Sequence, residues 1–344
     1  MRFAFSDDQL ALRDVVRDLL AKECPPEVVR AAWPEGPDDR GAEPGAGARS
    51  ATDRSWTALA EVGALGVAVP EAHGGLGLGE LDWVLLAEET GYAGLPHPFV
   101  ETAGVAAPLL AAAGDPGGEL PGLVDGSAVA TATALGADLV PWGGDAEVVL
   151  SLLLDGEGPW TAHRVDATAA VPVTSVDRAR RLARLDVGGG AALGSERDAA
   201  VAFDRGALGT AAQLVGLGRR MLDLTVAYVA ERQQFGRPVG AQQAVKHHLA
   251  DAARDLHFAA PAVYGAAWSL ATGDVHVHRA VSTAKALASD AARRTGRAAL
   301  QCHGAIGYTV EADLHLYLKR ADALARAWGD AAWHRDRVAW ALGL

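Results

Sequence analysis

The chain has 344 residues, of which 50% are apolar, and it carries a formal net charge of -12. This length suggests two or three domains with a substantial core, and the high alanine content favours long helices. The negative charge argues against a nucleic-acid groove, which needs a basic stripe, although local arginines and helix ends still suffice to bind an anionic cofactor.

Cysteine usage and the N-terminus indicate the compartment. Cys24 and Cys302 lie far apart in sequence and form no C-x-x-C pair, so neither a disulfide framework nor a zinc site is predicted. The first residues, MRFAFSDDQL, turn acidic at once and lack the basic start and apolar run of a signal peptide. No apolar stretch is long enough to span a bilayer. We therefore expect a cytoplasmic protein that binds neither membranes nor nucleic acid.

The N-terminal third is predicted to be helical. Ser6, followed by two aspartates and Gln9, forms a capping box that predicts a helix running to about Glu23. Residues 31–55 are rich in Pro, Gly, Ala and charge without periodicity, which predicts a mobile loop. From Trp56 to Gly91 the pattern predicts a helix, a glycine-rich turn and a second helix. The first helix is predicted to bury Leu10, Val15, Leu19 and Leu20.

The middle of the chain is richer in β-formers. Runs at Ala128–Leu135, Val148–Leu154 and Ala169–Ser175 predict short strands. We therefore predict three domains: an N-terminal helical domain over residues 1–121, a small β-domain over residues 122–203, and a C-terminal helical bundle over residues 204–344. The segment from Trp328 to Leu344 is predicted to be the closing helix.

Within the C-terminal domain, two amphipathic helices flank the break ERQQFGRPVGAQQAVKHH, residues 231–248. Gly and Pro residues interrupt the helical pattern there and free backbone N–H groups for a ligand. Arg232, with its planar fork of donors, suits a phosphate, and Gln242 and Gln243 offer amides beside it. The two helices are predicted to bury faces spaced three and four residues apart: Leu214, Leu217, Met221, Leu224 and Tyr228, then Val245, Leu249, Ala252 and Leu256.

Two motifs carry a resemblance to a known family. The pattern R-x-x-F-G-x-P-x-G-x-x-Q, residues 232–243, resembles the signature of acyl-CoA dehydrogenases. The stretch from Gln301 to Tyr308 is similar to that family's second conserved turn, Q-x-x-G-G-x-G-Y, with Ala305 in place of its second Gly. The resemblance implies a mainly α fold with a β-barrel-like middle domain and a C-terminal four-helix bundle.

The same resemblance implies a chemistry. Acyl-CoA dehydrogenases use FAD to desaturate an acyl-CoA thioester between its α and β carbons, and they pass electrons to an electron-transfer flavoprotein or a similar acceptor. A surface salt bridge with Glu231 is the alternative for Arg232, and turn packing is the alternative for His303. The implied cofactor-binding residues are Arg232 at the pyrophosphate, Gln243 and Gln301 at the adenosine and phosphate half, Gly304 by backbone approach, Phe235 beside the adenine, and His303.

The family's catalytic Glu is missing. The resemblance places this base at one of two positions, which are Gly206 and Trp328 here, and neither side chain accepts a proton. Asp204 and Asp330 lie nearby, but a shift of two residues on a helix turns a side chain by about 200°. No catalytic residue is therefore predicted. The family's flavin-approaching T-E-P-x-A-G-S-D is absent too, and only Thr131 and Thr133 stand in that region.

Together these features resemble the shorter, base-lacking subunit of bacterial heterotetrameric acyl-CoA dehydrogenases, the kind associated with sterol side-chain breakdown. The implied partner is a second family member that carries the base. Two alternatives remain open: a self-sufficient enzyme that uses Asp204 or Asp330, and a flavin-free structural or regulatory partner.

The histidines do not predict a metal site. His247 and His248 are adjacent on a helix and cannot share a face. His276 and His278 would pair only in a strand, whereas the flanking pattern is helical. All four are predicted to be solvated.

Overall fold

The computed structural model describes residues 4–33, 46–154, 156 and 158–344. Its N-terminal part is helical. The predicted capping box is present, because the Gln9 amide donates to Ser6 Oγ at 3.2 Å and the Ser6 amide donates to Gln9 Oε1 at 3.0 Å. The helices are α1 (Asp7–Glu23), α2 (Pro26–Ala31), α3 (Ala46–Glu61), α4 (Glu80–Ala93), a π-helix (Val100–Ala106), α5 (Ala107–Ala112) and α6 (Leu120–Asp125).

Two N-terminal predictions need correction. The loop expected over residues 31–55 is wrong from Ala46 onward, where α3 begins, while residues 34–45 lie outside the described residues. On α1, Val15 is exposed and Val16 is buried instead. The apolar face that meets the core is therefore rotated by one residue from the predicted one, because Val16 and Leu20 lie one helical turn apart.

The middle of the chain forms two small sheets. The first has the order β1-β3-β4-β7, with β1 parallel to β3 and the other pairs antiparallel, and the second has the antiparallel order β2-β6-β5. The predicted runs contain β1, β3 and β5, but the other strands were not predicted. The strands are β1 (Ala130–Ala134), β2 (Leu139–Pro141), β3 (Val148–Leu154), β4 (Trp160–Arg164), β5 (Val171–Pro172), β6 (Leu182–Arg184) and β7 (Ala191–Ala192).

The C-terminal part is built on one long helix, which begins before Asp204 because Ser195 caps it by accepting from the Asp198 amide. The closing helix begins at Ala331 and not at Trp328, whose φ of 58° lies outside the helical region. The elements are α7 (Glu196–Glu231), the hairpin strands β8 (Gln233–Gln234) and β9 (Arg237–Pro238), α8 (Gln243–Ala271), α9 (Val277–His303), α10 (Leu314–Leu324) and α11 (Ala331–Ala341).

Helix α7 is the centre of the core. It packs against α4, α8, α9 and α10 and buries Leu214, Leu217 and Met221, as the periodicity predicted. Close packing needs Gly216, because a Cβ there would lie 2.0 Å from the Glu88 carbonyl oxygen of α4. Within the described ranges, no helix is both long and apolar enough to cross a membrane.

Candidate active site

The structure brings the predicted cofactor residues to one end of the helical bundle. Arg232 caps the end of α7, Gln243 is the first residue of α8, and Gln301 lies near the end of α9. Helices α8 and α9 follow each other and pack together, so the start of one lies near the end of the other. The ends of α7 and α9 also touch, because the rings of Tyr228 and His303 stack with centroids 4.4 Å apart.

This end of the bundle is open to an anion. Arg232, Gln243 and Gln301 are exposed, and the described residues provide no ion pair or side-chain hydrogen bond to Arg232, Glu231 included. Helix α8 has no side-chain cap at its N-terminus, so its first amides keep their hydrogen-bonding capacity and their partial positive charge. The neighbouring Gln242 is engaged, since its Oε1 accepts from Arg237 at 3.0 Å.

The remaining predicted cofactor residues differ in their surroundings. Phe235 is 92% exposed at the tip of the β8–β9 hairpin, so it does not pack against its own chain. Gly304 is exposed with a φ of 64°, and no atom lies within 4 Å of the place where a Cβ would stand. His303 is buried, and its Nδ1 donates to the Ala299 carbonyl at 2.9 Å. Burial lowers the pKa of His303, so the ring is neutral and packed into the turn.

The two positions at which the resemblance placed the family's base lie against each other. Gly206 is in the first half of α7, and Trp328 is in the turn between α10 and α11. A Cβ on Gly206 would lie 2.4 Å from an indole carbon of Trp328, which is closer than any real contact. The buried indole therefore fills the space that a carboxylate side chain would need at either position.

The turn that carries Trp328 is clamped by two buried side chains. His334 Nε2 donates to the Trp328 carbonyl at 2.9 Å, and Lys285 Nζ donates to the Gly329 carbonyl at 3.0 Å. Burial lowers the pKa of His334 to about 3 and that of Lys285 to about 7. The neutral His334 completes its bonding by accepting from Ser282 Oγ at 3.0 Å. The position of Trp328 is thus fixed by hydrogen bonds to the backbone of its turn as well as by the packing of its indole.

Neither alternative carboxylate is free. Asp204 is fully buried and accepts from Arg337 Nη1 at 2.7 Å and from His278 Nδ1. Asp330 caps α11 by accepting from the Trp333 amide at 2.9 Å. His278 is exposed as predicted, but its hydrogen bond with Asp204 makes it more than a solvated side chain.

The two threonine hydroxyls of β1 are both engaged. Thr131 Oγ1 donates to the Pro141 carbonyl at 2.6 Å, and Thr133 Oγ1 donates to the Ala137 carbonyl at 2.8 Å. Both side chains are buried. The hydroxyls noted in the sequence therefore serve their own backbone.

Sequence reasoning missed Glu101. This carboxyl is buried in the π-helix and hydrogen-bonds with Trp328, and burial raises its pKa. It lines a cavity of about 20 Å³ together with His97 and Gln213, which is room for a single water. One acidic residue in the apolar run of residues 98–110 was the available signal. In the part of the chain that the structure describes, no group of three or more His, Cys, Asp or Glu side chains is arranged to hold a metal.

Comparisons with known proteins decide the family. The acyl-CoA dehydrogenase N-terminal domain profile matches residues 6–117, and the C-terminal domain profile matches residues 197–343. The acyl-CoA dehydrogenase IpdE2 of Mycobacterium tuberculosis is 35% identical over 327 residues, which is 93% of this chain and 92% of that protein. The chain belongs to the acyl-CoA dehydrogenase family.

Solved structures of acyl-CoA dehydrogenases share the fold. A steroid ACAD described as Tcur3481-Tcur3483 superposes with a TM-score of 0.83 at 26% identity and covers 98% of both chains. The ChsE4-ChsE5 complex from Mycobacterium tuberculosis gives a TM-score of 0.81 at 23% identity, covering 100% of this chain and 99% of that one. These matches confirm the predicted acyl-CoA dehydrogenase fold.

As an acyl-CoA dehydrogenase, the protein is an oxidoreductase whose cofactor is FAD. When bound, the flavin supplies the hydride acceptor. The exposed guanidinium of Arg232, the amides of Gln243 and Gln301 and the uncapped start of α8 fit the pyrophosphate and adenosine half of FAD. By contrast, the engaged hydroxyls of the β-domain do not fit its ring half.

Proposed function

We propose that this chain is the base-lacking subunit of a heteromeric, FAD-dependent acyl-CoA dehydrogenase, in which a second family member supplies the catalytic carboxylate. One observation carries the proposal: the indole of Trp328 lies on Gly206 and occupies the space of both family base positions. Desaturation requires a carboxylate within hydrogen-bond reach of the acidic α-proton. A tryptophan and a glycine provide none.

Asp204 and Asp330, the two carboxylates nearest in sequence to these positions, support the same conclusion. Asp204 is held by Arg337 and His278, and Asp330 is held as the cap of α11. To act as a base, Asp204 would have to leave an ion pair in a buried site, which costs about 3–5 kcal/mol. Neither residue is therefore a good substitute for the missing Glu.

The cofactor residues support a shared site. Arg232, Gln243 and Gln301 present donors for the nucleotide half of FAD at the surface of the bundle. The β-domain of the same chain offers no free hydroxyl in β1 for the flavin ring. A chain that holds only one half of the cofactor needs another chain for the rest, so we infer that Phe235, which is 92% exposed, packs in an assembly interface beside the adenine.

We also propose a substrate class and a setting. One structural relative is described as a steroid ACAD, and another was solved as a complex of two differently named chains. The proposed substrate is accordingly the CoA thioester of a steroid-derived acyl chain, desaturated in the cytoplasm by a heterotetramer. An electron-transfer flavoprotein or a similar carrier would accept the electrons.

The test is flavin reduction in the presence and absence of the partner. The chain is purified alone and after co-expression with a second acyl-CoA dehydrogenase that carries the Glu. Anaerobic bleaching by an acyl-CoA is followed as loss of the visible flavin absorbance. We expect bleaching by the pair, none by this chain alone, and none by the pair when the partner's Glu is replaced by Gln.

Two results would overturn the proposal. Bleaching by the isolated chain, lost in its Asp204→Asn or Asp330→Asn variant, would establish a self-sufficient enzyme. A colourless preparation even after co-expression would establish a flavin-free structural or regulatory partner.

A further inference from the structure

A cavity of about 150 Å³ lies away from the base positions, between α1, α4, α7 and α10. Cavities of this volume hold a molecule the size of benzene. The exposed members of its lining, Arg17 and Ala21, mark its opening to solvent. The walls are mostly apolar and include Leu20, Pro25 and Ala93.

Arg220 is the polar group that faces this cavity without a charged partner. Its Nε is buried and makes no hydrogen bond within the described part of the chain, and no described carboxylate lies within ion-pair distance of its guanidinium. The guanidinium carbon lies 5.4 Å from the ring centroid of Tyr92 and 5.3 Å from that of Tyr317. These rings fix the plane of the guanidinium.

The neighbouring charges do not neutralise Arg220. Glu89 is taken by Arg17, at 2.7 Å, and by Arg219, at 3.4 Å. Burial raises the pKa of both Tyr92 and Tyr317, so the two phenols are neutral at physiological pH. Another acid, Asp223, accepts a hydrogen bond from the Tyr92 hydroxyl at 2.9 Å.

A partly buried cation without a counter-charge is costly, and an anion from solution removes much of that cost. The cavity has room for an anion that carries a small apolar group. Covalent capture is not involved, because burial raises the pKa of the lining Cys24 to about 12 and keeps it as a thiol.

We propose that this cavity binds a small monocarboxylic acid with a body about the size of a benzene ring. The carboxylate pairs with the Arg220 guanidinium, and the body packs against Leu20, Pro25 and Ala93. This site is separate from the FAD and acyl-CoA chemistry, and it stands whether or not the chain is the base-lacking subunit.

The experiment uses benzoate as the probe and benzamide as its neutral analogue of the same shape. Binding to the full chain is measured by isothermal titration calorimetry for the wild type, for Arg220→Gln, and for Ala93→Leu, which fills the cavity while keeping the guanidinium. Arg254→Gln on the exposed face of α8 is the matched control, because Arg254 pairs with Asp251 outside the cavity.

We expect benzoate to bind the wild type and Arg254→Gln alike, and at least about tenfold more tightly than benzamide, because a hydrogen bond to a charged group is lost in the amide. Arg220→Gln and Ala93→Leu should each weaken benzoate binding by a similar factor. Undetectable binding to the wild type, equal binding of benzoate and benzamide, or unchanged binding to Ala93→Leu would overturn the proposal. If Arg220→Gln fails to fold, the comparison of benzoate with benzamide and the Ala93→Leu variant still decide it.

Discussion

At the scale of single residues, the contact between Trp328 and Gly206 links the sequence to the proposed function. Gly206 or Trp328 alone shows only that Glu is absent at that position, whereas their contact shows that the indole of Trp328 occupies the space beside Gly206. The ring also packs near Phe203, with centroids 6.2 Å apart, and Phe203 in turn stacks on Trp160 of β4 at 4.1 Å. Trp328 is therefore part of an aromatic cluster.

The first prediction concerns Gly206→Ala. Replacing a glycine within a helix by alanine ordinarily stabilises a protein by about 1 kcal/mol. Here the new methyl group would lie 2.4 Å from the indole of Trp328. Overpacking of this kind costs about 1–3 kcal/mol, so we expect a net loss of stability, measured as a lower midpoint in thermal or urea unfolding.

Gly189→Ala is the matched control for this prediction. Gly189 has no atom within 4 Å of a built Cβ and does not have a left-handed backbone. Its substitution should change the midpoint little. If Gly206→Ala is as stable as the wild type or more stable, the indole is not fixed against α7.

The second prediction concerns Lys285, which is fully buried. Burial is the main reason why its pKa is lowered to about 7. In the unfolded chain its pKa returns to its ordinary value near 10.5, so above pH 7 the unfolded state binds more protons than the folded state. Stability therefore rises with pH from 7 upward. Between pH 7 and 8.5 this one group should add about 1–2 kcal/mol to the free energy of unfolding.

Lys285→Met should flatten that pH dependence, whatever its effect on absolute stability. Lys22→Met is the control, because Lys22 is 82% exposed and pairs only with Glu23 at the surface. The measurement is urea unfolding at several pH values between 7 and 8.5. An equal rise with pH in the wild type and in Lys285→Met would contradict the role given to the buried ammonium.

At the scale of elements, the sequence predicted what periodicity and capping determine. The long helices α1, α7 and α8 follow from apolar spacing, and the start of α1 follows from the Ser6 capping box. Strands β2, β6 and β7, which were not predicted, have two or three residues each, too few for an alternating pattern to appear. Helix α3 begins in a stretch whose composition resembles a loop, and its helical state depends on packing that no local pattern shows.

In the candidate site, too, the sequence motifs were predictable and the tertiary contacts were not. The motif predicted a break between two long helices at Arg232 and Gln243, and α7 ends and α8 begins there. The contact of Trp328 with Gly206, the burial of Glu101 and the clamp by Lys285 and His334 depend on tertiary packing between distant elements. No spacing rule within the chain indicates them.

The third prediction tests the end of α7 and the start of α8 as a cofactor site. Arg232→Met should weaken FAD binding by the assembled enzyme by at least about tenfold, because a charge-assisted hydrogen bond to phosphate contributes about 1.5–3 kcal/mol. Arg237→Met is the control within the same hairpin, since Arg237 donates to Gln242 of its own chain. The measurements are the flavin content of each variant and its dissociation constant for FAD, determined by fluorescence. Equal losses in the two variants would show only a disturbed hairpin.

At the scale of the whole molecule, the exposed apolar side chains of the bundle need an explanation. Isolated apolar residues on a surface are normal, but aromatic ones are enriched in protein interfaces. Phe258 on α8 is 72% exposed, Trp268 on the same helix is 38% exposed, and Leu287 on α9 is 44% exposed. We propose that these residues belong to the surface through which the helical bundle assembles with its partner.

Phe258→Asp should therefore weaken assembly without unfolding the chain. Phe258 points away from the core that its neighbours Leu256 and Ala259 enter, so its replacement removes no internal packing. An aromatic anchor in an interface contributes about 2 kcal/mol or more, which corresponds to a roughly thirtyfold weaker association.

Val176→Asp is the control. It also replaces an apolar side chain by an acidic one, at a 62% exposed position outside the bundle, and it should leave assembly intact. Sedimentation velocity of the co-expressed pair measures both variants. A Phe258→Asp protein that assembles like the wild type would remove this face of α8 from the interface.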